Sequence, residues 1–169
     1  WFGGTETAYA VTDVLFGDVN PSGKLSCSFP KNVGQIPIYY AHKNTGRPLA
    51  DNGWFTKFRS NYLDVDNDPL YPFGYGLSYT SFSYSPVTLS ADRMDQNGSI
   101  KASVTVTNTG SVAGKEVIQM YIRDLVGSST RPVRELKGFE KILLQPGESR
   151  TVEFTVDVEM LKFYDADMQ

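Results

Sequence analysis

Asp64-Val65-Asp66-Asn67-Asp68 sets carboxylates at alternate positions, as the opening of an EF-hand calcium loop does. Such a loop needs glycine at its sixth position and a bidentate glutamate at its twelfth. Those positions hold Pro69 and Tyr75, so the segment reads as a solvated acidic turn. His42 is the single histidine and Cys27 the single cysteine, which excludes a histidine-pair metal site and a zinc ligand cluster. As a base, His42 would need an orienting partner; it reads as a loop residue. Cys27 can form no internal disulfide, and its alternation with Leu25 and Phe29 predicts a buried structural thiol. Gly3-Gly4 lacks the Gly spacing and the Lys-Ser/Thr of a phosphate loop. Asn97-Gly98-Ser99 is a glycosylation sequon, but Asn-Gly is also a turn dipeptide, and the turn accounts for it. Arg123, Arg131 and Arg134 with Glu135 and Glu140 form the densest charge cluster. They read as solvated strand edges and loop ion pairs, each contributing about 0–1 kcal/mol. No catalytic, cofactor-binding or metal-binding residue is assigned, and no cofactor is expected.

The elements that must position these residues read as mainly β. The chain has 169 residues, 13% of them aromatic, with 15 Gly and 9 Pro, a composition of turn-rich sheet rather than disorder. A net charge of -3 gives no electrostatic reason for a nucleic acid or an anionic membrane as partner. No apolar run reaches the roughly 18 residues of a membrane span, and Trp1-Phe2-Gly3-Gly4 does not read as a signal peptide.

Near the start, Thr5 is a candidate helix cap, and Gly17 is suited to closing the helix in a left-handed conformation. Ala8, Val11 and Leu15 would form its apolar stripe. Lys24 to Phe29 alternates as a strand and Pro30 stops it. One helix and one strand cannot bury themselves, so this piece is expected to need a partner domain. From about Asn32 to Tyr79 periodicity is lost among Gly, Pro, Asn and aromatics. So many aromatics predict an ordered strap, with Tyr71 to Gly76 packed between a sandwich and its neighbour. Beyond Phe82 the period is two: Ile100, Ala102, Val104, Val106; then Ile118, Met120, Ile122; then Val152, Phe154, Val156, Val158. Strands are predicted at 87–91, 99–108, 115–123, 134–144 and 150–158, with turns at Asn97-Gly98, Asn108-Thr109-Gly110 and Pro146-Gly147. Five strands fall short of the seven of a full sandwich, and both ends read as cut.

Ordered motifs across the whole chain resemble family 3 glycoside hydrolases, most of all their bacterial periplasmic β-glucosidases. They are Asp13-Val14-Leu15-Phe16-Gly17-Asp18-Val19-Asn20-Pro21-Ser22-Gly23-Lys24-Leu25, Val33-Gly34-Gln35-Ile36-Pro37 and Asn44-Thr45-Gly46-Arg47-Pro48. Leu70 to Tyr79 and Arg131-Pro132-Val133-Arg134-Glu135-Leu136-Lys137-Gly138-Phe139 continue the series. The resemblance implies a retaining enzyme whose barrel carries an aspartate nucleophile and whose α/β sandwich supplies a glutamate acid/base, followed by a fibronectin-III-like domain. Neither motif aligns with an Asp or Glu here, so neither role is transferred. It implies residues 1–41 as the end of the α/β sandwich domain, 42–80 as an interdomain linker, and 81–169 as a fibronectin-III-like (immunoglobulin-like) antiparallel β-sandwich lacking its last strands. It further implies a non-catalytic portion whose partners are the upstream domains and, through them, a β-linked glucoside, in a periplasmic or secreted protein. Trp54-Phe55-Thr56-Lys57-Phe58 departs from the family; interdomain packing is expected of it more than contact with a sugar cleft. The alternative is a free-standing sandwich that binds carbohydrate or mediates adhesion, against which the orphan helix and strand of 1–41 argue.

Overall fold

The computed structural model describes residues 3–44, 46–48, 57–165 and 167–168. Trp54, Phe55 and Thr56 lie outside the described residues. Two compact units make up the chain, one from 1–23, 76–118 and 140–158, the other from 24–75, 119–139 and 159–169.

The first unit contains α1 (Thr7–Phe16), followed by β1 (Phe82–Tyr84), β2 (Thr88–Leu89), β3 (Ser99–Asn108), β4 (Gly114–Ile122), β5 (Glu135–Leu144) and β6 (Ser149–Asp157), the last residues of β4 and the first of β5 belonging to the second unit. Four of the five predicted strands lie within a residue of their expected bounds; 87–91 shrinks to two residues, and the three-residue β1 is too short for a period to reveal. β1 and β2 both pair antiparallel with β3, and β6 pairs with it along nine residues. β4 and β5 make a second, two-stranded sheet.

Alternation decides what each face does. Val104 lies opposite Val152 and Ala102 opposite Phe154, while Thr105 lies opposite Thr151 and Thr107 opposite Ser149. The second set bonds hydroxyl to hydroxyl at 2.9 and 2.7 Å on the outer face, with Lys101 and Glu153 paired at 2.7 Å beside them. The first set meets the other sheet: Val106, Ile118, Ile142, Leu144 and Val152 form the buried cluster, with Phe82, Val104 and Phe154 against it. Pro146-Gly147 turns β5 into β6, Gly147 taking the positive φ of 77° that such a turn needs.

Two asparagines fix the unit's irregular corners. Asn108 is fully buried. Its Nδ2 donates to the carbonyls of Val112 (2.8 Å) and Leu144 (3.1 Å), and its Oδ1 accepts from Thr80 Oγ1 (2.6 Å) and Gly110 N (3.1 Å). Asn20 donates to the Ala113 carbonyl at 3.0 Å and accepts from Ser78 Oγ and Tyr79 N, both at 2.9 Å. Gly114 sits beneath this bond set, where a Cβ would meet Asn20 Nδ2 at 2.9 Å and the Thr80 methyl at 2.7 Å.

α1 begins later than expected. Gly4 turns the chain at φ 72°, Thr7 Oγ1 donates back to the Gly4 carbonyl, and Glu6, without a side-chain cap bond, occupies the capping position in place of Thr5. Gly17 closes the helix left-handed at φ 85°, as its type predicts. The Ala8, Val11 and Leu15 stripe is exposed; the half-buried positions are Thr7, Asp13 and Val14, the last accepting from the Tyr79 hydroxyl.

In the second unit, Lys24 to Phe29 is not a regular strand. A bend at Ser26-Cys27 interrupts it, leaving one bridge between Phe29 and Tyr71. Leu25 and Phe29 still exchange backbone bonds of 2.8 Å with the aromatic segment, through Tyr75, Gly74, Tyr71 and Leu70. The same bend exposes Cys27, which is therefore not the buried thiol that alternation predicts. Tyr40 stacks on Phe73 with centroids 4.1 Å apart, Tyr71 on Tyr75 at 5.2 Å, and Phe29 meets Tyr71 edge-on. Gly74, at φ 82°, lies where a Cβ would come within 2.3 Å of Gln119 Oε1. The strap is ordered by ring contacts and backbone bonds together.

Asn108→Ala is expected to lower unfolding free energy by about 2–3 kcal/mol, because it strands buried carbonyls and a hydroxyl; urea denaturation measures it. A second expectation concerns alkali. The Tyr84 hydroxyl donates to buried Glu116 at 2.8 Å, and burial, then that bond and the carboxylate's charge, push it well above the usual 10.0. A pKa raised on folding gives stability that is whole below pH 10.0 and falls as pH rises past it. Thermal unfolding from pH 8 to about 12 should show that decline in the parent and a shallower one in Tyr84→Phe.

Candidate functional site

A buried glutamine holds the acidic turn. Gln35 ends a 3₁₀ turn, Val33–Gln35, and is fully buried. Its Nε2 donates to the carbonyls of Asp66 (3.0 Å) and Asp68 (3.1 Å), its Oε1 accepts from Lys31 N at 2.6 Å, and its own carbonyl accepts from the Tyr62 hydroxyl at 3.0 Å. Both donors of the amide and one of its two acceptor sites are thereby used. Asp66 pairs with Lys31 Nζ, and that hydrogen bond holds its carboxyl below the ordinary value of 3.8. Asp64 accepts from Asn32 at 3.3 Å. Among the described residues, no cluster of three or more His, Cys, Asp and Glu side chains could hold a metal ion.

Beside this clasp lies an open groove of about 620 Å³, lined by Pro37, Tyr39, His42, Asn61, Asn67 and Asp68 among others. Its walls are tied to the rest of the unit. The His42 carbonyl accepts from Val133 N at 2.9 Å, Ser60 N donates to the Arg47 carbonyl at 2.9 Å, and Asn67 Nδ2 donates to the Ser60 carbonyl at 2.9 Å. His42 is exposed in a loop, as its surroundings predict.

The charge cluster departs from expectation at Arg131, whose side chain is only 15% exposed. Its Nη2 bonds Glu135 at 2.8 Å, Asp124 lies 3.8 Å from Nε, and the guanidinium lies 4.0 Å from the centre of the Phe163 ring. Two carboxylates and an aromatic face replace the water that a solvated arginine would keep. Arg123 and Glu140 are exposed, as the solvated reading requires, and Arg134 stands 6.0 Å from the Tyr121 ring centre. Asn97 is exposed in a turn closed by Gly98 N to the Asp95 carbonyl at 2.9 Å.

Comparison with known proteins accounts for both halves of the sequence. The glycosyl hydrolase family 3 C-terminal domain matches residues 1–79, and the fibronectin type III-like domain matches residues 116–169. Residues 1–79 thus resemble the C-terminal domain of family 3 glycosyl hydrolases. A periplasmic β-glucosidase of Salmonella typhimurium is 58% identical over all 169 residues, which span 22% of that protein. A β-xylosidase of Formosa agariphila is 44% identical over the full chain, again 22% of its length. The crystal structure of a β-glucosidase from Listeria innocua in complex with isofagomine superposes with a TM-score of 0.94 at 46% identity, covering all of this chain and 24% of that one. The chain thus spans about a quarter or less of the relatives it matches. No helix among the described residues is long and apolar enough to cross a membrane.

The residue that sequence reasoning missed is Gln35. Its only signal was its place inside the Val33-Gly34-Gln35-Ile36-Pro37 motif; a polar residue in an aperiodic stretch gives no hint of burial. Gln35→Ala is expected to cost about 2–3 kcal/mol and to loosen Asp64 to Asp68, seen as faster amide exchange there. The Lys31–Asp66 contribution behaves differently with pH. Because folding lowers the Asp66 pKa, that stability is present above 3.8 and is lost as pH falls below it. Asp66→Asn should flatten that part of the acid limb in a pH series of unfolding midpoints.

Proposed function

We propose that this chain is the accessory, non-catalytic portion of a retaining β-glucosidase that hydrolyses terminal non-reducing β-D-glucosyl residues in the periplasm or outside the cell. The observation that carries the reading is the 58% identity, over every residue of this chain, to a periplasmic β-glucosidase. Retaining hydrolysis needs two carboxyl groups roughly 5–5.5 Å apart across the scissile bond, one attacking and one donating a proton. On this reading the nucleophile sits in an upstream barrel and the acid/base in an upstream α/β sandwich, both partners of this chain within one longer polypeptide. Residues 1–41 finish the sandwich domain, 42–80 form the linker, and 81–169 form the fibronectin-III-like domain. The chemistry asks for no cofactor, nucleic acid or membrane.

The described carboxylates support a structural role. Asp66, Glu135 and Glu116 are each engaged by Lys31, Arg131 or Tyr84, contacts that hold the fold together. Since one relative is a β-xylosidase, the choice between glucosyl and xylosyl is assigned to the upstream domains.

The 169-residue chain should release no nitrophenol from an aryl β-glucoside above buffer, while the complete polypeptide releases it readily. Turnover by the short chain that survives repurification overturns the accessory reading, and inactivity of the complete polypeptide toward aryl β-glucosides overturns the β-glucosidase assignment.

A further inference from the structure

We propose that the outer edge of β6 is a docking strand for a second copy of this chain. The two β6 strands pair antiparallel about a twofold axis, so that the four-stranded sheet continues from one molecule into the other.

Hydrogen-bond parity shows which groups face that edge. Asn108 N donates to the Glu148 carbonyl and Gly147 N to the Asn108 carbonyl, a bulge with glycine at its positive-φ position. From there the register places Val106 opposite Arg150, Val104 opposite Val152 and Ala102 opposite Phe154, and these pairs exchange the bonds between β3 and β6. The far side of β3 agrees, since Thr105 and Lys101, the alternate residues, bond outward to Ser85 and Ser90. The N–H and C=O groups of Ser149, Thr151, Glu153 and Thr155 therefore point away from β3. No backbone partner meets them among the described residues, and all four side chains are exposed.

Long edges are normally guarded against pairing with another chain. β1 and β2 have three and two residues, too short to template a partner. β6 has nine, with no proline, glycine or lysine among them. The charge at its middle, Glu153, is taken by Lys101 at 2.7 Å. What faces outward is a row of hydroxyls above unpaired backbone groups, which is what an added strand requires.

Self-complementarity selects a second copy as the occupant. A twofold centred on Glu153 would set two carboxylates face to face, which is unfavourable. Centred on Val152, it sets Thr151 opposite the partner's Glu153 and Ser149 opposite the partner's Thr155. Every outward group of the four residues then finds a partner. Hydroxyl against hydroxyl is the arrangement this face already uses, at Thr105 with Thr151 and Thr107 with Ser149. On the inner face Arg150 comes to lie against the ring of the partner's Phe154, a residue only half-buried within one chain. No like charges oppose each other in this register. The contact uses the same patch on both molecules, so it closes at two copies and does not propagate.

Sedimentation equilibrium tests the proposal on the 169-residue chain and on the complete polypeptide, each from about 1 to 100 μM. A reversible monomer–dimer equilibrium is expected. Thr151→Glu, which sets a carboxylate against the partner's Glu153 on both sides of the axis, should weaken the dimer about tenfold, and Thr151→Lys should tighten it. Urea midpoints show that both variants remain folded. Hydrogen exchange gives a second readout: the amides of Thr151, Glu153 and Thr155 should gain protection as concentration rises, while those of Val152 and Phe154, bonded to β3, stay protected throughout. A chain that remains monomeric across the range, or a dimer indifferent to both substitutions, overturns the proposal. Outward amides protected equally at every concentration in the complete polypeptide would put another part of that polypeptide on the edge, and would overturn the second copy as its occupant.

Discussion

The buried side chain of Asn108 is the interaction on which the sandwich depends. A two-sheet fold has to change sheets at its ends, and there the backbone leaves the ladder with polar groups already out of water. Asn108 stands at the end of β3 and answers four such groups at once: the carbonyls of Val112 and Leu144, the Thr80 hydroxyl and the Gly110 amide. Its own backbone pairs with Glu148 and Gly147, both near 3.0 Å. The end of β3, the following loop, the approach to β1 and the β5–β6 turn are thereby referred to one residue. An aspartate could accept but not donate, and would set its charge against two carbonyls. A leucine would leave all four groups unpaired. Only an amide has the right count of donors and acceptors for this corner.

The second unit, whose only strands among the described residues are the ends of β4 and β5, solves a similar problem. Few of its backbone groups lie in ladders, yet it is ordered, because an amide again collects carbonyls that regular structure would otherwise satisfy. Gln35 does for Asp66 and Asp68 what Asn108 does for Val112 and Leu144. The rings of Tyr40, Phe73, Tyr71 and Tyr75 add apolar contact, and Gly74 lets the chain pass close to Gln119, whose Nε2 donates to the Gly74 carbonyl at 3.1 Å. Order here comes from specific pairs more than from a large core.

How much of this is legible in the sequence follows from the range of each interaction. Period two along 99–108 or 149–157 is a local consequence of one wet and one dry face, so those strands read directly. The fate of 24–29 is not local. Its alternation is as clean as that of a strand, but its partner is the irregular segment at 70–75, and the bend at Ser26-Cys27 breaks the face that would have hidden the thiol. Arg131 misleads for a related reason. Charge density along the sequence suggests solvation, whereas Phe163, more than thirty residues on, supplies the face that lets the guanidinium leave water. The groove was illegible altogether, since its lining comes from 37–44, 48 and 60–68, where no periodicity points at a shared surface.

The distribution of charge then shows how the described carboxylates are held. Catalysis by paired carboxylates requires groups whose protonation can change during a turnover, held apart from competing cations. Here Lys31 favours the ionised form of Asp66, and Arg131 brings Glu135 and Asp124 to one guanidinium. Glu116 is buried against Tyr84, a partner that burial and the carboxylate itself keep protonated. Such pairs stabilise one geometry because each member holds the other in place. That is the chemistry of a scaffold.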